Sequence, residues 1–83
     1  MDIDIKDTIT LRDKNKYMVI SKIDYHNNTY YYLINEVNSE NIKFCLEKNE
    51  RKTLIEIDDT NLIQTLLPIF AGSINSEHLK ANH

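Results

Sequence analysis

Residues 22–34 read KIDYHNNTYYYLI, and the fold class can be inferred from them. Successive side chains of a β-strand point to opposite faces of the sheet, so three consecutive tyrosines cannot share one face. His-Asn-Asn separates two apolar runs, and asparagine tolerates the left-handed backbone conformation that a tight hairpin requires. The stretch therefore predicts a β-hairpin whose return strand presents aromatic rings to both faces of a sheet.

Similar segments continue on both sides of the hairpin. They alternate apolar with polar residues or are rich in β-branched and aromatic residues, and polar turns separate them. Short turns between consecutive strands predict antiparallel neighbours. The five predicted strands are 8–12, 17–25, 29–37, 42–48 and 53–57.

After residue 58 the apolar spacing changes to that of an amphipathic helix, with Leu62, Ile63, Leu66, Leu67, Ile69 and Phe70 forming the stripe. Asp59 or Thr60 is expected to cap its start and Gly72 to end it. Pro68 is expected to kink or split the helix, because proline lacks the backbone donor. Residues 74–83 are polar and are expected to fray.

The expected fold is α+β: a five-stranded antiparallel meander sheet, strongly curved, with a C-terminal helix packed on one face. The 83 residues are expected to form a single domain, 1–83, with an ordered core over about 8–72. If Asn27 and Asn28 are the turn residues, Tyr25 pairs with Tyr30 and Ile23 pairs with Tyr32. Cross-strand partners share a face.

This register predicts a face beneath the helix that comprises Val19, Ser21, Ile23, Tyr25, Tyr30, Tyr32 and Ile34. The opposite face then receives Met18, Ile20, Lys22, Asp24, Tyr31, Leu33 and Asn35. One helix cannot cover both faces. Either the sheet curls and buries the second face, or a partner covers that face. The second alternative makes Tyr31, Leu33, Met18 and Ile20 candidate partner-binding residues.

Charge and composition narrow the possible partners. The net charge is −3, the isoelectric point is about 5.5, and basic residues are scattered except at Arg51 and Lys52, which disfavours duplex nucleic acid. The single cysteine, Cys45, fits a reducing, cytoplasmic compartment. We expect no signal peptide and no membrane segment, because no apolar run approaches about 20 residues.

Metal, cofactor and catalytic motifs are not expected in this sequence. His26, His78, His83 and Cys45 lack the close paired spacing of structural zinc sites. The single glycine disfavours a phosphate-binding loop, and no nucleophile has a recognisable base partner. We therefore expect no enzymatic activity, no cofactor, no metal and no small-molecule substrate.

Three functions stay open. The leading hypothesis is a small non-enzymatic protein-binding module that acts on a protein partner, or on a second copy, through the exposed sheet face. A second is a phage-type inhibitor of a nucleic-acid-handling or defence machine, which would use an acidic strip that includes Glu56 and Asp59. A third is a weak single-stranded nucleic-acid binder that stacks bases on tyrosines.

The motifs Ile9-Thr10-Leu11 and Ile23-Asp24-Tyr25, with Tyr30 opening the return strand, carry a family resemblance. Over roughly residues 8–60 the chain resembles the YrzB-like family of short, acidic, uncharacterised bacterial proteins. It departs from the family's pattern by an asparagine turn in place of glycine and by a lower acid content. The resemblance implies a small β-rich fold and carries no activity with it.

Overall fold

A computed structural model describes residues 3–48 and 53–81. The elements are five strands and one helix: β1 (Thr8–Thr10), β2 (Lys16–Tyr25), β3 (Asn28–Asn35), β4 (Ile42–Lys48), β5 (Thr53–Glu56) and α1 (Thr60–Ala81). The strands lie in the order β1-β2-β3-β4-β5, and each is antiparallel to the next. The sheet is strongly curled into a half-barrel. The predicted five antiparallel strands and C-terminal helix are therefore present.

The β2–β3 hairpin turns at His26 and Asn27, one residue earlier than predicted. Their φ angles of 48° and 66° are the positive values that a two-residue type I′ turn needs. Tyr25 therefore pairs with Asn28, and Ile23 pairs with Tyr30. The predicted register is wrong by two residues, but Tyr30 keeps its predicted face because the side-chain period of a strand is two.

A β-bulge at Ile20 changes the faces of β2. The pairing passes from Val19 opposite Leu33 to Ser21 opposite Tyr32, so Ile20 is an extra residue. Val19 consequently shares the face of Leu33 and not the face of Tyr32 to which the sequence assigned it. Met18 is displaced in the same way.

Both faces of the sheet carry a buried core. The inner cluster comprises Ile3, Tyr17, Val19, Tyr31, Leu33 and Cys45. The helix cluster comprises Ile23, Tyr30, Leu66 and Phe70, with Tyr25, Tyr32, Phe44, Leu46, Ile57, Leu62 and Ile69 packed against it. Of the two alternatives for the second face, burial by curling is the one observed.

Tyr31 and Leu33 are fully buried in the inner cluster. The expectation that they point outward to an exposed surface is wrong, because the curled sheet encloses the face on which they lie. The N-terminal segment contributes to this core, since Ile3 packs within it and its carbonyl oxygen accepts a hydrogen bond of 3.0 Å from Lys22 Nζ. The inner cluster thus includes a residue that lies before position 8.

Helix α1 is continuous through Pro68 and Gly72 to Ala81. The predicted end at Gly72 is wrong, and of the two outcomes predicted for Pro68, a kink or a split, the split is not observed. Pro68 is exposed, so the carbonyl that it leaves without an intrahelical donor can bind water, while Leu66 and Phe70 on the buried side hold the helix in place. The cap is at Asp59, whose Oδ1 accepts hydrogen bonds from the backbone of Asn61 and Leu62 at 3.0 and 3.4 Å.

Candidate functional site

A cleft of about 660 Å³ opens where the half-barrel fails to close. Such a volume is within the ordinary range for ligand sites in proteins, roughly 300–1,000 Å³. Its lining residues come from the N-terminal segment, the two edge strands and the middle of β4: Ile3, Ile9, Thr10, Leu11, Arg12, Asp13, Cys45, Leu54, Ile55 and Glu56.

The sequence builds this cleft from its shortest strands. β1 has three residues and β5 has four, and these are the two edges of the sheet. Ile9 and Leu11 on one wall and Leu54 on the other are half-buried and pack against the inner cluster. Together with buried Cys45 they give the cleft an apolar floor that is continuous with the core.

At the outer edge of β1, backbone groups have no hydrogen-bond partner among residues 3–48 and 53–81. Val19 N donates to Asp7 O at 2.9 Å, and Leu11 N donates to Asn15 O at 3.1 Å, so the odd-numbered residues of this strand bond to β2. In an antiparallel pair the bonding direction alternates from residue to residue. The N–H and C=O groups of Thr8 and Thr10 consequently point away from β2.

The same alternation applies to β5. Ile57 N donates to Phe44 O at 2.7 Å, which places Ile57 and Ile55 in the set that bonds to β4. The N–H and C=O groups of Leu54 and Glu56 therefore point away from β4. Among the described residues no ladder joins β1 to β5, so both edges are available for pairing.

The rim of the cleft is charged. Asp13 accepts a hydrogen bond from the Tyr17 hydroxyl at 2.6 Å and another from Asn15 N at 2.9 Å, and these bonds lower the pKa of the carboxyl. Asp13 is therefore a fixed anion at neutral pH. On the opposite wall Glu56 forms a surface ion pair of 3.4 Å with Lys43, and Arg12 is exposed beside Asp13.

Cys45 lies at the base of the cleft with no exposed surface. Burial raises the pKa of its thiol to about 12, and the nearby Glu56 carboxylate acts in the same direction. The thiolate is the reactive form of cysteine, so this side chain is chemically inert at neutral pH. Its role is to pack beneath the cleft.

Tyr31 and Leu33, predicted to bind a partner, lie in the inner cluster. The Tyr31 hydroxyl donates a hydrogen bond of 2.5 Å to Glu47 Oε1, and Lys22 Nζ lies 5.8 Å from the centre of its ring. Burial, followed by the interaction with Glu47, raises the pKa of Tyr31. The contacts of this ring are therefore those of a core residue.

The remaining predicted residues are separated from one another. Met18 is 38% exposed and pairs with Ile34, while Ile20 is half-buried at the bulge. Glu56 lines the cleft, and Asp59 caps α1. Of the six predicted residues the structure thus brings only Glu56 to the cleft.

Intramolecular contacts engage Glu56 and Asp59, the two residues named for the acidic strip, and the nearby Glu47. Glu47 accepts the hydroxyl of Tyr31, Glu56 pairs with Lys43, and Asp59 holds the first turn of the helix. Tyr30 and Tyr31 are buried, so their rings are not exposed for stacking on bases. No specific observation therefore favours the inhibitor or the base-stacking hypothesis.

Within residues 3–48 and 53–81 no group of three or more His, Cys, Asp or Glu side chains is arranged to hold a metal ion. None of the helical segments in that part of the chain is both long and apolar enough to cross a membrane. His83 lies outside the described residues.

Sequence reasoning missed the cleft because it considered faces and not edges. Two signals pointed to it: the number of predicted strands is odd, and the first and last of them are short. Comparisons with protein-family models, curated proteins and solved structures found no match to this chain. The resemblance to the YrzB-like family accordingly stays a prediction, and function has to be argued from the cleft itself.

Proposed function

We propose that the protein is a small non-enzymatic protein-binding module, and that its binding surface is the cleft between β1 and β5. The observation that carries the proposal is the combination of an apolar floor with two sheet edges whose backbone groups face the same opening. Contiguous apolar surface and unpaired edges both favour association with another chain. The cleft thus takes the place of the sheet face around Tyr31, which the sequence predicted as the binding surface.

We further propose that the fold is an antiparallel meander with α1 packed on one face. The helix cluster supports this packing, since it joins Leu66 and Phe70 of α1 to residues of β2, β3 and β4. The edge strands carry the binding surface, so the partner would dock on a preformed frame with little ordering cost. A reducing, cytoplasmic setting fits the single, deeply buried thiol of Cys45.

The test is affinity capture with a matched pair of charge variants. Glu56→Lys changes the cleft wall, whereas Glu40→Lys makes the same charge change on an exposed turn that does not line the cleft. A partner retained by the wild type and by Glu40→Lys, but lost with Glu56→Lys, supports the proposal. Equal retention by all three proteins, or no retained protein, contradicts it. Circular dichroism melts establish that both variants are folded.

A further inference from the structure

We propose that the cleft accepts an extended segment of a partner protein as a sixth strand that bonds to β5 and β1 together and closes the barrel. This inference rests on the proposed binding function and specifies the chemistry of the partner. The occupant is a short strand with aliphatic residues at alternate positions and basic residues at its ends.

Strand direction supports a sixth strand. Five strands, each antiparallel to the next, leave β1 and β5 running in the same direction. A strand inserted between them in the opposite direction is therefore antiparallel to both. An even strand number is the condition for closing an antiparallel barrel without a parallel pair.

The directions in which the backbone groups of the two edge strands point also support a sixth strand. Leu54 and Glu56 point their backbone groups into the opening, and their side chains lie on the face of Cys45, since Glu56 pairs with Cys45 and Leu54 with Glu47. Cross-strand partners share a face, so inward-facing residues of the guest would bond to β5.

On β1 the residues whose backbone groups point into the opening have their side chains on the opposite face from those of β5. Ile9 and Leu11 pack against the inner cluster and bond to β2, so Thr8 and Thr10 present backbone groups to the opening with side chains on the outer face. Outward-facing residues of the guest would therefore bond to β1. Because β5 would bond to the inward-facing residues of the guest and β1 to its outward-facing residues, one guest strand can form hydrogen bonds with both edges.

The floor and the rim specify the guest's side chains. Inward-facing residues would lie over Ile3, Cys45 and Leu54, which requires aliphatic groups. The charges at the rim balance, since Glu56 pairs with Lys43 and Arg12 is exposed beside Asp13. The net charge of −3 on the whole chain favours basic residues at the ends of the guest, whereas a second copy of this acidic chain lacks that complementarity.

The probe is an acetylated, amidated heptapeptide of sequence KVTVTVK, titrated by calorimetry and by amide NMR. Two N-methylated forms remove backbone donors, one at two valines facing β5 and one at the two threonines facing β1. A third form carries a methylamide at its C-terminus and keeps every backbone N–H, so it controls for the added methyl group. We expect each of the first two forms to bind at least tenfold more weakly than the parent, and the control to bind within about twofold of it.

The parent peptide should shift the amide signals of Thr8, Thr10, Leu54 and Glu56. On the protein side, Thr10→Pro should abolish binding while preserving the fold, because the lost N–H points away from β2 and edge positions tolerate proline. Replacing both lysines of the peptide by glutamates should weaken binding severalfold at low salt.

Equal binding by the methylated peptides would overturn strand pairing. So would failure of the parent peptide to bind while a partner is captured in a Glu56-dependent manner. Either result would leave the binding function of the cleft standing, so the two failures are distinguishable. Light scattering could instead show a doubled mass, with the four edge amides protected in the absence of peptide. That result would show that a second copy of the chain occupies the cleft, and it would overturn the proposal of a different partner protein.

Discussion

Truncation of Tyr31 tests whether the second sheet face is a core or a binding surface. This ring has no exposed surface and lies among Tyr17, Val19, Leu33 and Cys45. Removing a buried aromatic ring costs about 3–5 kcal/mol through lost burial and a residual cavity. A small domain has a total stability of about 5 kcal/mol or little more, so Tyr31→Ala is expected to leave about 2 kcal/mol or less and to melt far below the wild type.

The Tyr31→Phe variant separates the hydroxyl from the ring. It keeps the packing and deletes the hydrogen bond to Glu47, which is half-buried, so we expect a loss of about 1–2 kcal/mol. For a domain of this size that corresponds to a fall in Tm of roughly 4–16 °C. Val37→Ala is the control, because that side chain is 97% exposed.

The hydroxyl also gives a pH signature. The pKa of Tyr31 is raised in the folded protein above its ordinary value of 10.0, mainly by burial and then by Glu47. The protonated form is therefore favoured by folding, so this contribution is complete below pH 10 and is lost as the pH rises beyond 10. The gap in stability between wild type and Tyr31→Phe should narrow above pH 10.

Thermal melts and urea titrations followed by circular dichroism measure all of these quantities. A Tyr31→Ala variant that melts like the wild type would refute the account of the inner cluster. It would restore the sequence prediction that this ring points outward and serves a partner.

Three further predictions concern stability. Ser21 Oγ is buried without a hydrogen-bond partner among the described residues, so Ser21→Ala should raise the free energy of unfolding by about 1 kcal/mol in urea titrations, and a clear loss would reveal a missed partner. Gly72 is exposed in mid-helix, and an added methyl group would meet no atom within 4 Å, so Gly72→Ala should stabilise by about 0.5–1 kcal/mol; no gain in Tm would argue against helix at this position. The unfolded thiol of Cys45 ionises near pH 9.0 while the folded thiol has a pKa of about 12, so stability should fall by up to about 1.4 kcal/mol per pH unit above pH 9, and Cys45→Ala should flatten that slope in urea titrations from pH 8 to 11.

Local pattern was enough to predict the elements. Alternation, together with β-branched and aromatic content, located all five strands, and the change of period after residue 58 located the helix. Of the two predicted caps, Asp59 and Thr60, the structure shows Asp59. The sheet face on which each side chain lies was less predictable. A single bulge at Ile20 exchanges the two faces of β2, and alternation of apolar and polar residues does not reveal a bulge.

Helix length and sheet closure depended on tertiary packing. Pro68 was expected to kink or split the helix, which is instead continuous while Leu66 and Phe70 pack with Ile23 and Tyr30. Burial of Tyr31 required a curl of the whole sheet, which no segment specifies by itself. The same curl leaves β1 and β5 apart, so the cleft could not be derived from any single motif.

Hydrogen exchange of four edge amides tests whether the cleft between β1 and β5 is the binding site. In the free protein the amides of Thr8, Thr10, Leu54 and Glu56 should exchange rapidly, while their neighbour Ile55, bonded across the ladder to β4, should be protected. When the captured partner is bound, the four edge amides should become protected. Protection that instead appears around Met18 and Ile42, with the four edge amides unchanged, would contradict the assignment of the cleft as the binding site.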